Sequence, residues 1–159
     1  MQPILFRSIL TLLPFLYMLI IWLQSSKFNP SQLEYIYPTI HPIVFLTIGA
    51  TLELAHLIQF GILYLLIIVA FLTYGELNSK KEKIALTIAI LYGITDEVHQ
   101  YFVPFRSFSS IDIVKDIIGV LVLWFLIKRK YYSTSHSRIG SFLKGITTLS
   151  AKNKPNIPL

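Results

Sequence analysis

Long apolar segments joined by short charged connections are the feature that most constrains the fold of this chain. The hydrocarbon core of a bilayer is about 30 Å thick and a helix rises about 1.5 Å per residue, so a spanning helix needs about 20 largely apolar residues. Residues 43–51 are expected to form a shallow or re-entrant lead-in to the second apolar helix. The predicted membrane spans are residues 4–23, 54–74, 84–103 and 109–127.

The distribution of basic residues predicts how these spans are oriented. Cytoplasmic connections of membrane proteins carry an excess of Lys and Arg. Three lysines lie between the second and third spans, and seven of the 14 Lys and Arg residues lie in 128–159, whereas the 24–53 and 104–110 connections hold one base each. The sequence therefore predicts an all-α integral membrane protein. We expect an antiparallel four-helix transmembrane bundle, multi-pass in the membrane, with both termini in the cytoplasm.

Charge and composition exclude several classes of function. The net charge is +6, but residues 1–127 contain seven bases against eight acids, so the basic character belongs to the C-terminal tail and does not indicate nucleic-acid binding. The absence of cysteine excludes disulfides, thiolate metal sites and cysteine nucleophiles. The predicted domains are a four-helix transmembrane domain at 1–130 and a basic cytoplasmic tail at 131–159.

The tail has a short stretch with two possible structures. Ile139, Phe142, Leu143 and Ile146 recur at helical spacing beside basic residues. This spacing fits a weak amphipathic helix that lies on the anionic inner leaflet. A disordered basic tail is the other interpretation, and the sequence leaves both open.

Polar residues inside the predicted spans mark the candidate site. Ionised groups that face lipid cost several kcal/mol each, so they are expected to point inward and to be functional. Helical periodicity places the polar residues of each span on one side. The three sets are Glu53, His56 and Gln59 on the second span, Asp96, Glu97, His99 and Gln100 on the third, and Asp112, Lys115 and Asp116 on the fourth.

These sets predict one polar pocket that opens on the outer side of the membrane. A cation at its mouth, Arg106, suits a phosphate or carboxylate headgroup. Glu97 and His99 are the candidates for a general base and acid. Asp96, Lys115 and Asp116 are most simply a structural ion-pair network. The ligand-binding candidates are Glu53, His56, Gln59, Asp96, Gln100, Arg106, Ser107 and Asp112.

No cofactor and no metal are predicted. A metal site could use His56, His99 and a carboxylate, but these residues lie on different helices without a recognised spacing such as H-E-x-x-H. Around the site, the Ser109-x-x-Asp112 motif predicts an N-cap for the fourth helix. Gly119 is expected to pack that helix closely on the third. Glu82 is interpreted as a solvated loop charge, and Trp22 as an interface aromatic without a functional role.

The string DEVHQYFVPFRSFSSIDIVKDIIG resembles the signature of VanZ-like membrane proteins. That signature reads approximately D/S-E-x-H-Q, then F-x-P-G-R, then a Ser-rich turn and D-x-x-x-N/D-x-x-G. Two further segments match in the expected order: LYMLIIWLQSS resembles the family's first helix, which ends in Ser-Ser, and LELAHLIQFGIL resembles its second. Phe105 stands where the family usually has Gly, and Gln59 where it often has Glu.

The resemblance implies a bacterial cytoplasmic-membrane protein with a role in the cell envelope, since named members are linked to increased resistance to glycopeptide antibiotics such as teicoplanin. The leading hypothesis is a protein whose pocket binds an envelope lipid, a lipid-linked cell-wall precursor or an amphiphilic glycopeptide, and so lowers antibiotic susceptibility. Two alternatives stay open. One is an intramembrane enzyme that acts on a lipid-linked envelope substrate through Glu97 and His99. The other is a structural bundle that binds a membrane-protein partner or a second copy of itself.

Overall fold

The computed structural model describes residues 3–29, 31, 35, 37–39, 41–133 and 137–151. In these residues the chain is helical and contains no strand, which confirms the predicted all-α class. A short 3₁₀ turn, Tyr37–Thr39, lies between the first two of the long helices. The α-helices are α1 (Pro3–Lys27), α2 (Pro42–Leu72), α3 (Ser79–Tyr101), α4 (Ser110–Tyr132) and α5 (Arg138–Ala151).

Two helices, α1 and α2, are long and apolar enough to cross a membrane. Only 11% of the most apolar window of α1 is buried. Large side chains such as Leu12, Phe15, Leu16 and Leu19 lie exposed along it. Soluble proteins seldom expose a contiguous apolar surface of this length. The exposed face of α1 therefore has the character of a surface that contacts acyl chains.

The second helix begins earlier than the sequence suggests. It starts at Pro42, twelve residues before the predicted span, and the expected re-entrant lead-in is continuous helix. The side chain of His41 caps the helix by accepting from the N–H of Ile43, and Pro42 occupies a first-turn position where its missing N–H costs nothing. A helix of 31 residues is about 46 Å long, which exceeds the hydrocarbon thickness of about 30 Å of a typical bilayer.

The hydrophobic core follows α2, which packs against α1, α3 and α4. The neighbouring helices each contribute buried residues to this core. Examples are Ile21 of α1, Ala89 of α3 and Val120 of α4. The buried residues that α2 contributes are Phe60, Leu63, Tyr64, Ile67, Ile68, Ala70 and Leu72.

Gly119 brings α4 against α2 and not against α3, so the predicted partner of this glycine is wrong. A Cβ at Gly119 would lie 1.7 Å from the carbonyl oxygen of Leu57. Gly61 faces back from α2, where an added Cβ would lie 3.0 Å from the Gly119 oxygen. Helix α3 meets α4 one turn earlier, where Gly93 lies against Asp116. The central helix occupies the face of α4 on which Gly119 lies.

Two charged residues in the first turn of α3, Lys81 and Glu82, hold the connection between α2 and α3 in place. The Lys81 ammonium donates to the carbonyl oxygens of Phe71, Gly75 and Glu76, which satisfies groups at the C-terminal end of α2. Partial burial lowers the pKa of Lys81.

Glu82 is buried, so its prediction as a solvated charge is wrong. Its carboxylate accepts from the Trp124 indole at 3.1 Å and from the Tyr132 hydroxyl at 2.7 Å. These two aromatic residues of α4 shield it from water, an arrangement that one-dimensional charge counting cannot reveal.

The tail segment forms a helix at residues 138–151, so this part of the tail is not disordered, while its position on the inner leaflet stays a prediction. Leu143 and Ile146 are buried against the preceding helices, whereas Ile139 and Phe142 are exposed. A Cβ at Gly140 would lie 2.3 Å from the carbonyl oxygen of Lys130, so α5 approaches the end of α4 closely.

Candidate functional site

Polar side chains converge where the C-terminal ends of α1 and α3 meet the beginning of α4 and the first half of α2. Asp96, Glu97 and Gln100 of α3 are 1%, 0% and 2% exposed, and Asp116 of α4 is 2% exposed. Charged residues are almost never this deeply buried without partners. The helices therefore enclose a polar site at this end of the molecule.

A chain of hydrogen bonds leads from α1 to Arg106. The Ser25 hydroxyl lies 2.7 Å and 2.8 Å from the two carboxylate oxygens of Asp96 and donates to this carboxylate. The Gln100 amide also donates to Asp96, at 2.8 Å, which directs the Gln100 carbonyl oxygen outward to accept from the guanidinium of Arg106. That guanidinium lies over the ring of Phe28, 5.3 Å from its centroid. The relay fixes the position of Arg106.

The backbone before Arg106 adopts a tight turn that the sequence makes costly. The Arg106 N–H donates to the Val103 carbonyl at 3.1 Å, with Pro104 and Phe105 at the two central positions. Phe105 has φ of +64°, in the left-handed region that favours glycine. Proline at the first central position and a positive φ at the second match a type II turn, in which the second position is normally glycine. This turn sets the path of the chain into Arg106.

His99 faces α1 and not the carboxylates. Its ring stacks on Trp22 with centroids 3.6 Å apart, and its Nε2 forms a 2.9 Å hydrogen bond with the Ser26 hydroxyl. Positions i and i+2 of a helix point about 200° apart. The structure therefore does not bring Glu97 and His99 together as the acid–base pair that the sequence suggested.

Glu97 connects the end of α3 to the start of α4. Its Oε2 accepts from the backbone N–H of Ser109 at 3.0 Å. The Ser109 hydroxyl in turn accepts from the N–H of Asp112 at 3.1 Å, which confirms Ser109 as the predicted N-cap. In a capping box, an acid within the first turn of the helix accepts from the backbone N–H of the N-cap residue. Here Glu97 of α3 accepts from the N–H of Ser109 instead.

Three residues on three helices form a second group, called here the carboxylate–histidine centre: His56, Glu97 and Asp116. One ligand atom from each lies within 4.8 Å of the other two. His56 Nδ1 and Asp116 Oδ1 are 3.6 Å apart, beyond hydrogen-bond length. His56 Nδ1, Glu97 Oε1 and both Asp116 oxygens are buried without a hydrogen-bond partner among the described residues.

The remaining acids and Lys115 have other partners. Lys115 Nζ lies 2.7 Å from Asp112 Oδ1, and both side chains are about a quarter exposed. Asp96, which the sequence placed in a network with Lys115 and Asp116, accepts from Ser25 and Gln100. Asp116 faces His56.

A pocket of about 60 Å³ opens between α1, α2 and the turn before α4. Three of the predicted binding residues line it, His56, Gln59 and Arg106, and Asp96 and Gln100 lie behind it in the hydrogen-bond chain. Ser107 and Asp112 are not among the described residues that line the pocket. Glu53 lies on α2, but its side chain is outside the described residues. The lining residues, called here the polar pocket, are Gln24, Ser25, Phe28, Leu52, Ala55, His56, Gln59 and Arg106.

Sequence reasoning did not assign the contribution of α1 to this site. Three of the predicted site residues are contacted by side chains of α1 or of Phe28, which directly follows it. These side chains are Trp22, Ser25, Ser26 and Phe28. The available signal was the Ser-Ser pair that ends a long apolar helix, together with the match of this segment to the first helix of the VanZ-like pattern.

Comparison with known proteins agrees with the pattern in these helices. No curated protein and no solved structure gives a significant match to the chain. The family model described as VanZ/LLP1 matches residues 4–131, which include α2 and α3, nearly all of α1 and α4, and every residue of the polar pocket. Because this match covers well over half of the sequence, the chain belongs to the VanZ/LLP1 family.

Proposed function

We propose that this protein is a multi-pass protein of the bacterial cytoplasmic membrane, with α1 to α4 as an antiparallel transmembrane bundle and both termini in the cytoplasm. The exposed apolar face of α1 and the length of α2 support this placement. The lysines between α2 and α3 and the bases after residue 127 support the orientation. In this orientation the polar pocket opens on the outer side.

The polar pocket binds the phosphate headgroup of an envelope lipid or of a lipid-linked cell-wall precursor. The observation that carries this proposal is the environment of Arg106. Gln100 and Phe28 hold its guanidinium at the pocket wall, and no described carboxylate pairs with it. A guanidinium matches the geometry of phosphate oxygens with two parallel donors. The site therefore offers a fixed positive charge to an anionic group.

The size of the pocket favours a headgroup over a whole glycopeptide. One water needs about 10–15 Å³ on the scale used for such cavities. A volume of about 60 Å³ therefore admits a few heavy atoms, the size of one phosphate group. A glycopeptide could place only one small group inside, so an effect on antibiotic susceptibility would follow from lipid or precursor binding.

Binding of a short-chain phosphatidate to the purified protein in neutral detergent tests this proposal. The diacylglycerol with the same chains lacks the phosphate and serves as the matched ligand, and we expect it to bind at least about 10-fold more weakly, which corresponds to about 1.4 kcal/mol. Arg106→Gln should weaken phosphatidate binding by a similar factor, and Arg106→Lys should restore part of it. The control is Arg7→Gln, which removes a cation that contacts Tyr74.

Equal binding of the two lipids, or full phosphatidate affinity in Arg106→Gln, would rule out a phosphate site at Arg106. Loss of binding in Arg7→Gln as well would show that general surface charge attracts the lipid.

An intramembrane enzyme is the second candidate function, and the carboxylate–histidine centre favours it. His56 also lines the polar pocket, so acid and base groups that lack hydrogen-bond partners among the described residues adjoin the proposed headgroup position. The residues differ from those the sequence suggested, because His56 and not His99 lies beside Glu97. Mass spectrometry of envelope lipids from cells that overproduce wild type or Glu97→Gln tests this. A lipid species that appears or disappears only with wild type supports catalysis, and identical lipid profiles leave binding as the function.

A further inference from the structure

We propose that the carboxylate–histidine centre, His56, Glu97 and Asp116, binds a divalent metal ion of the zinc class. The inference goes beyond headgroup binding, which rests on Arg106. It concerns three side chains for which the sequence predicted different roles: ligand binding for His56, acid–base chemistry for Glu97 and an ion-pair network for Asp116.

The first argument is the number of buried polar atoms that lack partners at this point. Glu97 and Asp116 are 0% and 2% exposed, and Glu97 Oε1 and both Asp116 oxygens have no hydrogen-bond partner among the described residues. The Nδ1 atom of His56 is in the same condition. Buried polar groups are nearly always satisfied, and an exception calls for a bound ion or water. Four such atoms on three neighbouring side chains face one another.

The second argument is geometric. One ligand atom from each residue lies within 4.8 Å of the others, and His56 Nδ1 is 3.6 Å from Asp116 Oδ1. A zinc ion bonds nitrogen and oxygen ligands at about 2.0–2.2 Å, which places tetrahedral ligands about 3.4 Å apart. The separation of 3.6 Å is already close to this spacing, and a separation of 4.8 Å would exceed it by about 1.4 Å.

The third argument is charge. Two carboxylates buried together repel each other, and the single imidazole of His56 can compensate at most one of their two negative charges. The nearby bases have other contacts, since Lys115 lies 2.7 Å from Asp112 and Arg106 donates to Gln100. A divalent cation balances the two negative charges and leaves the centre neutral, which is the cheapest state in a medium of low dielectric constant.

The ligand types and their supports select the class of ion. Imidazole nitrogen combined with carboxylate oxygen suits Zn²⁺ or Mn²⁺, whereas Mg²⁺ and Ca²⁺ prefer oxygen ligands alone. The backbone N–H of Ser109 holds Glu97 Oε2, which leaves Oε1 as the atom that faces the centre. Three protein ligands leave a fourth position, and His56 joins the centre to the polar pocket from which a water or a substrate oxygen could reach it.

Zinc binding to the full-length protein tests the proposal. The protein, purified in detergent without a histidine tag, is treated with a chelator and titrated with ZnCl₂, and bound metal is measured by calorimetry and by elemental analysis after desalting. We expect about one zinc ion per chain and a rise in melting temperature on zinc addition. His56→Gln, Glu97→Gln and Asp116→Asn should each weaken zinc binding at least about 100-fold, because each removes a direct ligand.

Each variant has a control of the same residue type, on the same helix for Glu97 and Asp116 and on α3 for His56. His99→Gln removes the imidazole that stacks on Trp22, Glu82→Gln removes the other buried glutamate of α3, and Asp112→Asn removes the carboxylate paired with Lys115. These three should bind zinc as wild type does. If a ligand variant does not accumulate, visible absorption of wild type loaded with Co²⁺ decides, since a centre with histidine and carboxylate ligands gives d–d bands at one equivalent.

Absence of stoichiometric zinc and cobalt binding by wild type would overturn the proposal and indicate that the centre shares protons instead. Zinc binding that survives all three ligand substitutions would also overturn it. Neither result affects the headgroup proposal, because phosphatidate binding through Arg106 is measured in a separate experiment, which can be repeated with a chelator present.

Discussion

Phe105 shows most clearly how this sequence departs from its family at a single residue. The left-handed conformation costs a residue with a Cβ about 1–2 kcal/mol, and Phe105 adopts it in the turn that leads to Arg106. The family pattern has glycine at this position. The ring is exposed, so its packing does not repay the cost.

Replacing Phe105 with glycine should therefore stabilise the protein. The expected gain is about 1 kcal/mol, because relief of the positive φ exceeds the extra entropy that glycine gives the unfolded chain. Thermal unfolding in detergent measures it. Phe108→Gly is the control, since Phe108 lies in the same connection with an ordinary φ and its replacement should not stabilise. A Phe105→Gly protein that melts below wild type would contradict the strained turn.

The sequence predicted which residues belong to the site better than it predicted their partners. Helical periodicity and the cost of charge in lipid predicted His56, Asp96 and Glu97, and Arg106 was predicted as the cation at the mouth of the pocket. Contacts between helices depend on rotation and axial shift, which periodicity does not contain. For this reason His99 was paired with Glu97, although the stacked Trp22 ring holds it against α1.

At the scale of elements, the close approach of α2 and α4 determines where the site forms. Gly119 and Gly61 allow the two backbones to meet, and this contact places Asp116 beside His56. The helix ends were predicted well where capping chemistry is local, as at Ser109. The predicted start of α2 is too late, because the prediction limited the helix to the length of one membrane span. In the structure, residues 43–53 continue the helix without a break.

Gly119→Ala should destabilise the protein strongly. The added methyl group would lie 1.7 Å from the Leu57 carbonyl oxygen, so the helices must separate. Overpacking of this kind costs about 1–3 kcal/mol or more. Unfolding in detergent is compared with Gly49→Ala, a helical glycine with nothing within 4 Å of an added Cβ. The control should be as stable as wild type or more so, since alanine favours helix. Equal stability of both variants would contradict the close contact.

At the scale of the whole molecule, the two ends of the helices differ in charge. The polar pocket and three of the buried acids, Asp96, Glu97 and Asp116, lie at the end formed by the 104–109 connection, whereas the buried Glu82 lies at the other end. The lysines of 80–83 and the basic end of α4 lie at the other. This asymmetry is what the orientation proposal uses, and it was readable from the sequence because it needs only a count of bases in each connection.

Single cysteines report this orientation directly, since the chain contains none of its own. Ser107 and Ser79 are exposed at opposite ends of α3 and α4. In spheroplasts, a membrane-impermeant maleimide should label Ser107→Cys at once and Ser79→Cys only after permeabilisation. The reverse pattern would place the polar pocket on the cytoplasmic side, and labelling of both in intact spheroplasts would contradict a multi-pass arrangement.

The central claim is that the polar pocket holds an anionic headgroup in the membrane of origin. Native mass spectrometry of the protein released from membrane extracts tests this most directly. Wild type and the Arg7→Gln control should retain one lipid or precursor with a phosphate group, and Arg106→Gln should lose most of it. If Arg106→Gln retains the same phosphate-containing lipid to the same extent as wild type, the polar pocket is not its binding site.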